Sequence, residues 1–349
     1  MSTVHICPLD KFIPSFIEFV NEKFDPDEHT FWVYGDKVRF ALPPADNVHY
    51  LGADLFGNVK PTLKLMKAIQ RHDRVILHSF HGIKMALLLL LTPWVLKKCY
   101  WFIWGGDLYQ YQIGKRNFKW RLTELLRRPA IKRMGNFVTY IKGDYELAKK
   151  WYGCTGRWHE CLLYTSNVYK KNVIDERAAG EDGKTTILLG NSADPTNNHF
   201  SAFDILETYK NENIELVVPL SYGNKRYAAE VVAEGTRRFG EKFVPLTDFM
   251  PFQHYLALLG KVDIAVFNHH RQQAMGNTIS LLGLKKTVFL NPGTTQWDFF
   301  QEKNIQVLDL QTFSLRSLSA AEKHDNEQKI EAYFSAENLT AQLKAVFTS

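Results

Sequence analysis

The stretch Thr185 to His199, TTILLGNSADPTNNH, limits the fold more than any other part of the chain. It opens on the β-type run Thr185-Thr186-Ile187-Leu188-Leu189. It breaks at Gly190 into a polar loop, Asn191-Ser192-Ala193-Asp194-Pro195-Thr196, and resumes near Asn198 as a helix with apolar Phe200, Phe203, Ile205 and Leu206. Strand, glycine turn and helix start make the first unit of a doubly wound domain. Such a turn offers free backbone N–H groups and a positive helix end, which suit an anion, typically phosphate. In purely structural terms the same residues are an ordinary βα loop with good capping groups.

The rest of the chain repeats the alternation. Before the loop, strands are predicted at Val4–Cys7, Phe31–Tyr34, Arg74–Phe80, Cys99–Trp104, Phe137–Ile141 and Cys161–Tyr164. Helices are predicted near Pro14–Phe24, Lys60–Arg71, Ile83–Leu96, Arg116–Met134 and Asp144–Tyr152. After the loop, strands are predicted at Ile214–Pro219, Phe243–Leu246, Val262–Phe267, Thr287–Leu290 and Gln306–Leu310. Alternating strands and helices indicate parallel sheets. With 349 residues there is room for two such domains. We place an N-terminal domain at residues 1–166 and a polar linker at 167–184. A C-terminal domain follows at 185–349, its last helix free to pack back on the N-terminal half. Ligands of such sheets bind at the carboxyl ends of strands, so the expected site is a cleft lined by those loops.

Composition narrows the class. The net charge of +6 fits nucleic acid, a membrane surface or a phosphorylated substrate, so its distribution has to decide. Cys7, Cys99, Cys154 and Cys161 form no CxxC pair, which points to a reducing compartment. The N-terminus runs straight into a strand, with no signal peptide. Met85 to Leu96 is apolar but too short to span a bilayer.

Three polar loops follow strands in the second half: Gly190–Asn198, then Ser221-Tyr222-Gly223, then Asn268 to Thr278. The third holds Arg271 for bidentate phosphate contact, Gln272 and Gln273, and a helix start at Gly276-Asn277-Thr278. In the first half, His81 and Asp107 stand at strand ends, where either would serve as general base on an acceptor hydroxyl. The structural alternatives are a turn histidine and a capping carboxylate. His269-His270 lacks further ligands at metal spacing, and Asp25-Pro26-Asp27 reads as a turn. GxSxG, GxxxxGK[ST] and GxGxxG are all absent, which argues against common hydrolases, P-loop NTPases and dinucleotide enzymes.

The densest charge lies in Gly114 to Gly135. Lys115, Arg116, Lys119, Arg121, Arg127, Arg128, Lys132 and Arg133 face a single acid, Glu124, with Phe118, Trp120, Leu122, Leu125 and Leu126 interleaved. A basic helix with aromatics suits an anionic membrane surface, with Lys119, Trp120, Arg127, Arg128, Lys132 and Arg133 as contact residues. The alternative is a solvated flank. No groove-reading motif accompanies the charge, so nucleic acid is not expected.

GNSADPTNNH, VVPLSY, RQQAMGN and WGGDLY resemble motifs of the bacterial 4-acetamido-4,6-dideoxygalactose (Fuc4NAc) transferases of enterobacterial common antigen synthesis, glycosyltransferase family 56. The resemblance runs from about His78 to about Asn291. It implies a GT-B fold, with two Rossmann-like parallel-sheet domains. It also implies a dTDP-sugar donor and an undecaprenyl-diphosphate-linked acceptor, with no cofactor and no metal. The expected location is peripheral, on the cytoplasmic face of the inner membrane. By position, Gly190, Asn191, Ser192, Asp194, Asn197 and His199 match the first loop. Tyr222, Arg271, Gln272, Gln273 and Gly276 match the later ones, and His81 and Asp107 match the first half. Ala193 replaces a glycine, Gly106 an alanine, and Asn277 stands where threonine is expected. An epimerase of the same fold, or a non-catalytic nucleotide-sugar sensor, would also use such loops.

Overall fold

A computed structural model describes residues 1–171 and 183–349. The polar stretch read as a linker, 167–184, therefore lies largely outside the described residues. The chain divides into two compact units. One comprises Met1–Val168 with Ala336–Ser349, the other Tyr169–Ser335.

The first unit runs β1 (Thr3–Pro8), α1 (Ile13–Lys23), β2 (His29–Tyr34), β3 (Val48–Gly52), α2 (Val59–Arg71), β4 (Arg74–His78) and α3 (Gly82–Leu91). It continues through β5 (Cys99–Phe102), α4 (Gly106–Ile113), α5 (Phe118–Arg133), β6 (Asn136–Val138), α6 (Lys142–Tyr152) and β7 (Arg157–His159). Its seven strands are parallel in the order β3-β2-β1-β4-β5-β6-β7. The central strands are buried throughout, because helices cover both faces of a parallel sheet.

The second unit runs β8 (Thr185–Leu189), α7 (His199–Leu206), β9 (Ile214–Pro219), α8 (Lys225–Phe239), β10 (Phe243–Leu246), α9 (Phe252–Lys261) and β11 (Ile264–Phe267). Then come α10 (Met275–Gly283), β12 (Thr287–Leu290), α11 (Thr295–Glu302), β13 (Leu308–Asp309) and α12 (Ala320–Tyr333). Its strands are also parallel, in the order β10-β9-β8-β11-β12-β13. Strand order reverses between β1 and β4 in one sheet and between β8 and β11 in the other. The loops that leave these strands are where such sheets hold ligands.

Several elements differ from the sequence reading. β3 and β7 were not foreseen, being short and partly polar. The strand expected at Cys161–Tyr164 is irregular, because Leu163 takes φ +71° and Tyr164 bonds back to Leu162. Pro93 ends α3 at Leu91 and turns residues 93–98 into a 3-10 segment. The last helix, α13 (Ala336–Thr348), belongs to the first unit, where Phe347 packs 4.5 Å from His29 and Gln342 accepts the Leu162 N–H at 2.8 Å.

A chain of buried rings crosses this first sheet. Trp104 Nε1 donates to the Tyr164 hydroxyl at 2.7 Å, so that oxygen accepts and its single proton goes to His78 Nδ1 at 2.6 Å. His78 Nε2–H then faces His5 Nδ1, and His5 Nε2–H faces His29 Nδ1, each at 3.0 Å. His78 and His5 each give one proton and take one, and His29 takes one at Nδ1, which only neutral rings can do. Burial holds His29 down to about 4, His78 down to about 3, and His5 well below the ordinary histidine range. Folded-state values below the unfolded value of about 6.5 mean that the stabilisation is complete above that pH and is lost as pH falls below it. The melting midpoint is therefore expected to be flat above about pH 7 and to fall steadily from there toward pH 5. A constant midpoint over that interval in thermal melts would contradict a neutral relay.

Candidate nucleotide-sugar site

In the second unit the loop after β8 is built around one buried amide. Gly190 takes φ +69°, and a Cβ there would lie 2.7 Å from Asn197 Oδ1 and 2.9 Å from His199 Nε2. Only glycine permits that approach. Asn197 is fully buried. Its Oδ1 accepts the Asn191 N–H and His269 Nε2–H, each at 2.9 Å, while its Nδ2 donates to the Asp194 carbonyl at 3.0 Å and to Ser192 Oγ at 3.3 Å. The backbone donor fixes which end of the amide is oxygen. That in turn puts the proton of His269 on Nε2.

Asp194 caps the 3-10 turn at 195–197 by accepting the Thr196 N–H. The Thr196 hydroxyl sits between Asp194 Oδ1 at 2.6 Å and Gln273 Oε1 at 2.7 Å, with Arg271 Nη2 at 3.5 Å. Gln273 Nε2 reaches Asn191 Oδ1 at 3.1 Å, and Asn191 Nδ2 reaches the Tyr222 hydroxyl at 3.0 Å. Asn198, at φ +50°, exchanges amide-to-carbonyl bonds with Asn268 at 2.9 and 3.1 Å. The loops after β8, β9 and β11 are thus joined into one mesh. Gln272 is half-buried, and its carbonyl accepts Arg271 Nη1 at 2.9 Å.

The mesh separates two kinds of residue that the sequence reading grouped together. Asn191, Thr196, Tyr222, Arg271, Gln272, Gln273 and Gly276 retain exposure at strand ends. Asn197, His199 and Thr278 are fully buried and hold the loops from beneath. His199 Nδ1 lies 3.2 Å from the Tyr227 hydroxyl, and burial lowers it to about 4; His269 is lowered by burial to about 3. The Thr278 hydroxyl bonds back to the Ala274 carbonyl and accepts Gln296 Nε2. Asn277 donates to the Tyr255 hydroxyl at 2.8 Å. α10 starts at Met275, behind Ala274 at φ +57°, so the exposed residue of its first turn is Gly276. Gln296 was missed as a part of this site, and Asn198, Asn268 and His269 were read as members of the polar loops without a binding part. The Asn-Asn pair before a helix was the one visible signal, since asparagine tolerates positive φ.

In the first unit, Asp107 and His81 take different parts. Asp107 is fully buried at the start of α4. Oδ2 accepts Trp101 Nε1–H at 2.6 Å and the Phe80 N–H at 2.8 Å. Oδ1 accepts the N–H groups of Trp104 at 2.9 Å and Leu108 at 3.0 Å. A carboxylate with four donors and no exposure cannot reach an acceptor hydroxyl, so the general-base role does not fit it. It positions the turn after β4, in which Ser79 is held at φ +74°. His81 is exposed at the next residue but one. Its Nε2 is what a Cβ on Gly106 would meet, at 3.9 Å, with nothing else within 4 Å. His81 therefore stands exposed at a switch-point strand end.

The basic helix also needs correction. Arg127 is fully buried, paired with Glu124 at 2.5 Å and donating to the Asp107 carbonyl at 2.8 Å and to the Tyr152 hydroxyl at 3.2 Å. Trp120 is half-buried, and its Nε1 donates to the Gln110 carbonyl at 3.0 Å. Arg127 is therefore not available to a membrane. Lys119, Arg128, Lys132 and Arg133 are exposed, though Arg128 also donates to the Trp151 carbonyl. Asp25 caps a 3-10 turn through the Asp27 N–H, which accounts for the acid pair there.

Two doubly wound parallel sheets, one with a polar mesh at its switch point, are the architecture of the GT-B class. The chain is similar over its whole length to sucrose-phosphate synthase from Thermosynechococcus elongatus, with TM-score 0.68, 7% identity and coverage of 100% of this chain and 98% of the other. It is likewise similar to the N-terminal domain of Candida albicans trehalose-6-phosphate phosphatase (TM-score 0.67, 11% identity, 99% and 96% covered). A third match is an E. coli trehalose-6-phosphate protein bound with UDP-2-fluoro glucose (TM-score 0.64, 9% identity, 100% and 98% covered). At these identities the likeness establishes the fold alone. The family follows from the sequence: residues 49–343 match the family described as 4-alpha-L-fucosyltransferase, glycosyl transferase group 56, and the chain belongs to it.

The mesh makes Asn197 its most sensitive point. Asn197→Ala removes the acceptor of two buried donors, each costing about 1–3 kcal/mol when left unpaired. Chemical denaturation is expected to show a loss of about 3 kcal/mol or more. A change within about 0.5 kcal/mol would mean that the loops hold without the amide.

Proposed function

We propose that this glycosyltransferase moves an acetamido-dideoxyhexose resembling Fuc4NAc from a dTDP-sugar to a saccharide carried on a polyprenyl diphosphate, at an anionic membrane surface. The observation that carries the donor half is the Arg271 guanidinium 3.5 Å from the Thr196 hydroxyl, in the loop that leads at the second unit's switch point into α10, whose first turn exposes Gly276. A guanidinium and a helix N-terminus together suit the two phosphates of a nucleotide diphosphate. Among the described residues no three His, Cys, Asp or Glu side chains gather as metal ligands.

In this reading His81 takes the proton of the acceptor hydroxyl while its oxygen attacks the anomeric carbon. The bond from that carbon to the diphosphate breaks, and the electron pair leaves with dTDP. Arg271 and the α10 N-terminus stabilise the charge that develops on the leaving oxygen. Asp107 fixes the turn that carries His81.

The membrane half rests on an inverted helix. On α5, Glu124, Arg127, Ala130 and Ile131 face the protein, whereas Phe118, Leu122 and Leu125 lie outward at i, i+4 and i+7, 81%, 39% and 69% exposed. Arg121, Lys132 and Arg133 flank that stripe. Packed beside it, α3 and the turn after it expose Leu87, Leu91 and Trp94. An apolar stripe with basic margins is the pattern of a helix lying in a lipid interface. No helix of the described residues is long and apolar enough to cross a membrane.

Two measurements test the reading. dTDP is expected to raise the melting midpoint and NAD to leave it unchanged. Arg271→Ala should abolish most of the shift, since a charge-assisted pair contributes roughly 1.5–3 kcal/mol. His81→Ala should keep the dTDP shift and lose transfer by about a hundredfold. No shift with any nucleotide diphosphate would end the proposal. Separately, the protein should cosediment with vesicles containing anionic lipid and not with neutral ones. Replacing Arg121, Lys132 and Arg133 by Glu should release it, at about 1 kcal/mol per basic residue. Unchanged binding by that variant would make the helix a solvated flank.

A further inference from the structure

Resting on that reading, we propose that Trp104 is the platform on which the terminal pyranose of the acceptor saccharide stacks, and that Phe12 supports it from the side. Trp104 follows β5 at the carboxyl edge of the first sheet and is only partly buried. Its ring and its backbone are both fixed from within. Nε1 donates to the buried Tyr164 hydroxyl at 2.7 Å, and the backbone N–H donates to Asp107 Oδ1 at 2.9 Å. Phe12, in the loop after β1, meets the indole edge-on, with centroids 6.0 Å apart at 86°, and stacks on Tyr164 at 5.8 Å. Tyr164 in turn is held by the imidazole chain through His78.

The one polar atom of this indole is thus engaged inside the protein, and what remains for a ligand is carbon surface. An aromatic face carries negative partial charge and attracts the slightly positive C–H groups that line one face of a pyranose. A rigid indole also loses little conformational freedom when a ligand settles on it. The two residues after Trp104 carry no side chain. Gly105, at φ +85°, and Gly106 follow Trp104 directly, and a Cβ on Gly106 would meet only His81 Nε2, at 3.9 Å. The imidazole proposed to take the proton therefore stands beside these glycines. A sugar seated on Trp104 would present a hydroxyl to His81. The charged chemistry that would recognise a nucleotide is found instead on the loops of the second unit, so the occupant here is the acceptor and not the donor.

The test uses the full-length enzyme, dTDP-Fuc4NAc and a farnesyl-diphosphate-linked N-acetylhexosamine disaccharide as soluble acceptor. Trp104→Ala is expected to raise the acceptor KM by about tenfold or more, the scale of one lost stacking face, and to leave the dTDP melting shift unchanged. Trp104→Phe keeps an aromatic face without the N–H and should restore most of the acceptor KM, with a melting midpoint that reports whether the fold is intact. Wild type that transfers while Trp104→Ala keeps the wild-type acceptor KM would overturn the inference alone. So would a Trp104→Phe variant that is folded yet as impaired as Trp104→Ala, because the N–H and not the face would then be what matters. Wild type that neither binds dTDP nor transfers would remove the functional reading and this inference with it.

Discussion

The Asp107 carboxylate is the interaction on which the first unit is arranged. Placing a carboxylate in an apolar core is tolerable only if its oxygens find donors. Here four arrive from the turn after β4, from β5, and from the segment entering α4. The same bonds that satisfy the carboxylate fix the positions of Phe80 and Trp104. Arg127 closes the arrangement from below by donating to the Asp107 carbonyl, and its own charge is matched by Glu124. The strain at Ser79 persists because the surrounding bonds over-determine it. A buried acid at a strand end thus sets the place of its neighbours.

The second unit reaches the same end with neutral groups. Asn197 does for the loop after β8 what Asp107 does for the turn after β4, and its amide can both give and accept. An amide suits this place because the segments around it present both N–H and C=O groups. In both units, then, a buried hub holds the loops and exposed residues stand above it. Burial separates the two layers: His199, Asn197 and Thr278 lie below, Arg271, Gln273 and Asn191 above.

The alternation of strands and helices was legible because each strand of a parallel sheet is a short apolar run between polar turns. Thr185–Leu189 and Cys99–Phe102 are of this kind. Edge strands such as Arg157–His159 were not legible, since one side faces solvent and the pattern dissolves. The loops were found by their residue types, but the part each residue plays was not. Asp107 and His81 read alike in sequence, as polar residues after a strand. Only contacts distant in sequence tell them apart, such as Phe80 to Asp107. The basic segment misled for a similar reason. Counting charge along Gly114–Gly135 cannot show that Arg127 turns inward while Phe118 and Leu125 turn outward.

The placement of α13 bears on how the protein is made. Residues 336–349 complete the first unit, yet they are synthesised after all of the second. Until then the surfaces of Phe24 and His29 that Phe347 covers, and the Leu162 N–H that Gln342 accepts, lack their partners. On the ribosome the second unit can close while the first still waits for its final helix. The first unit therefore depends on the nascent chain staying protected throughout translation, although most of its sequence has already emerged.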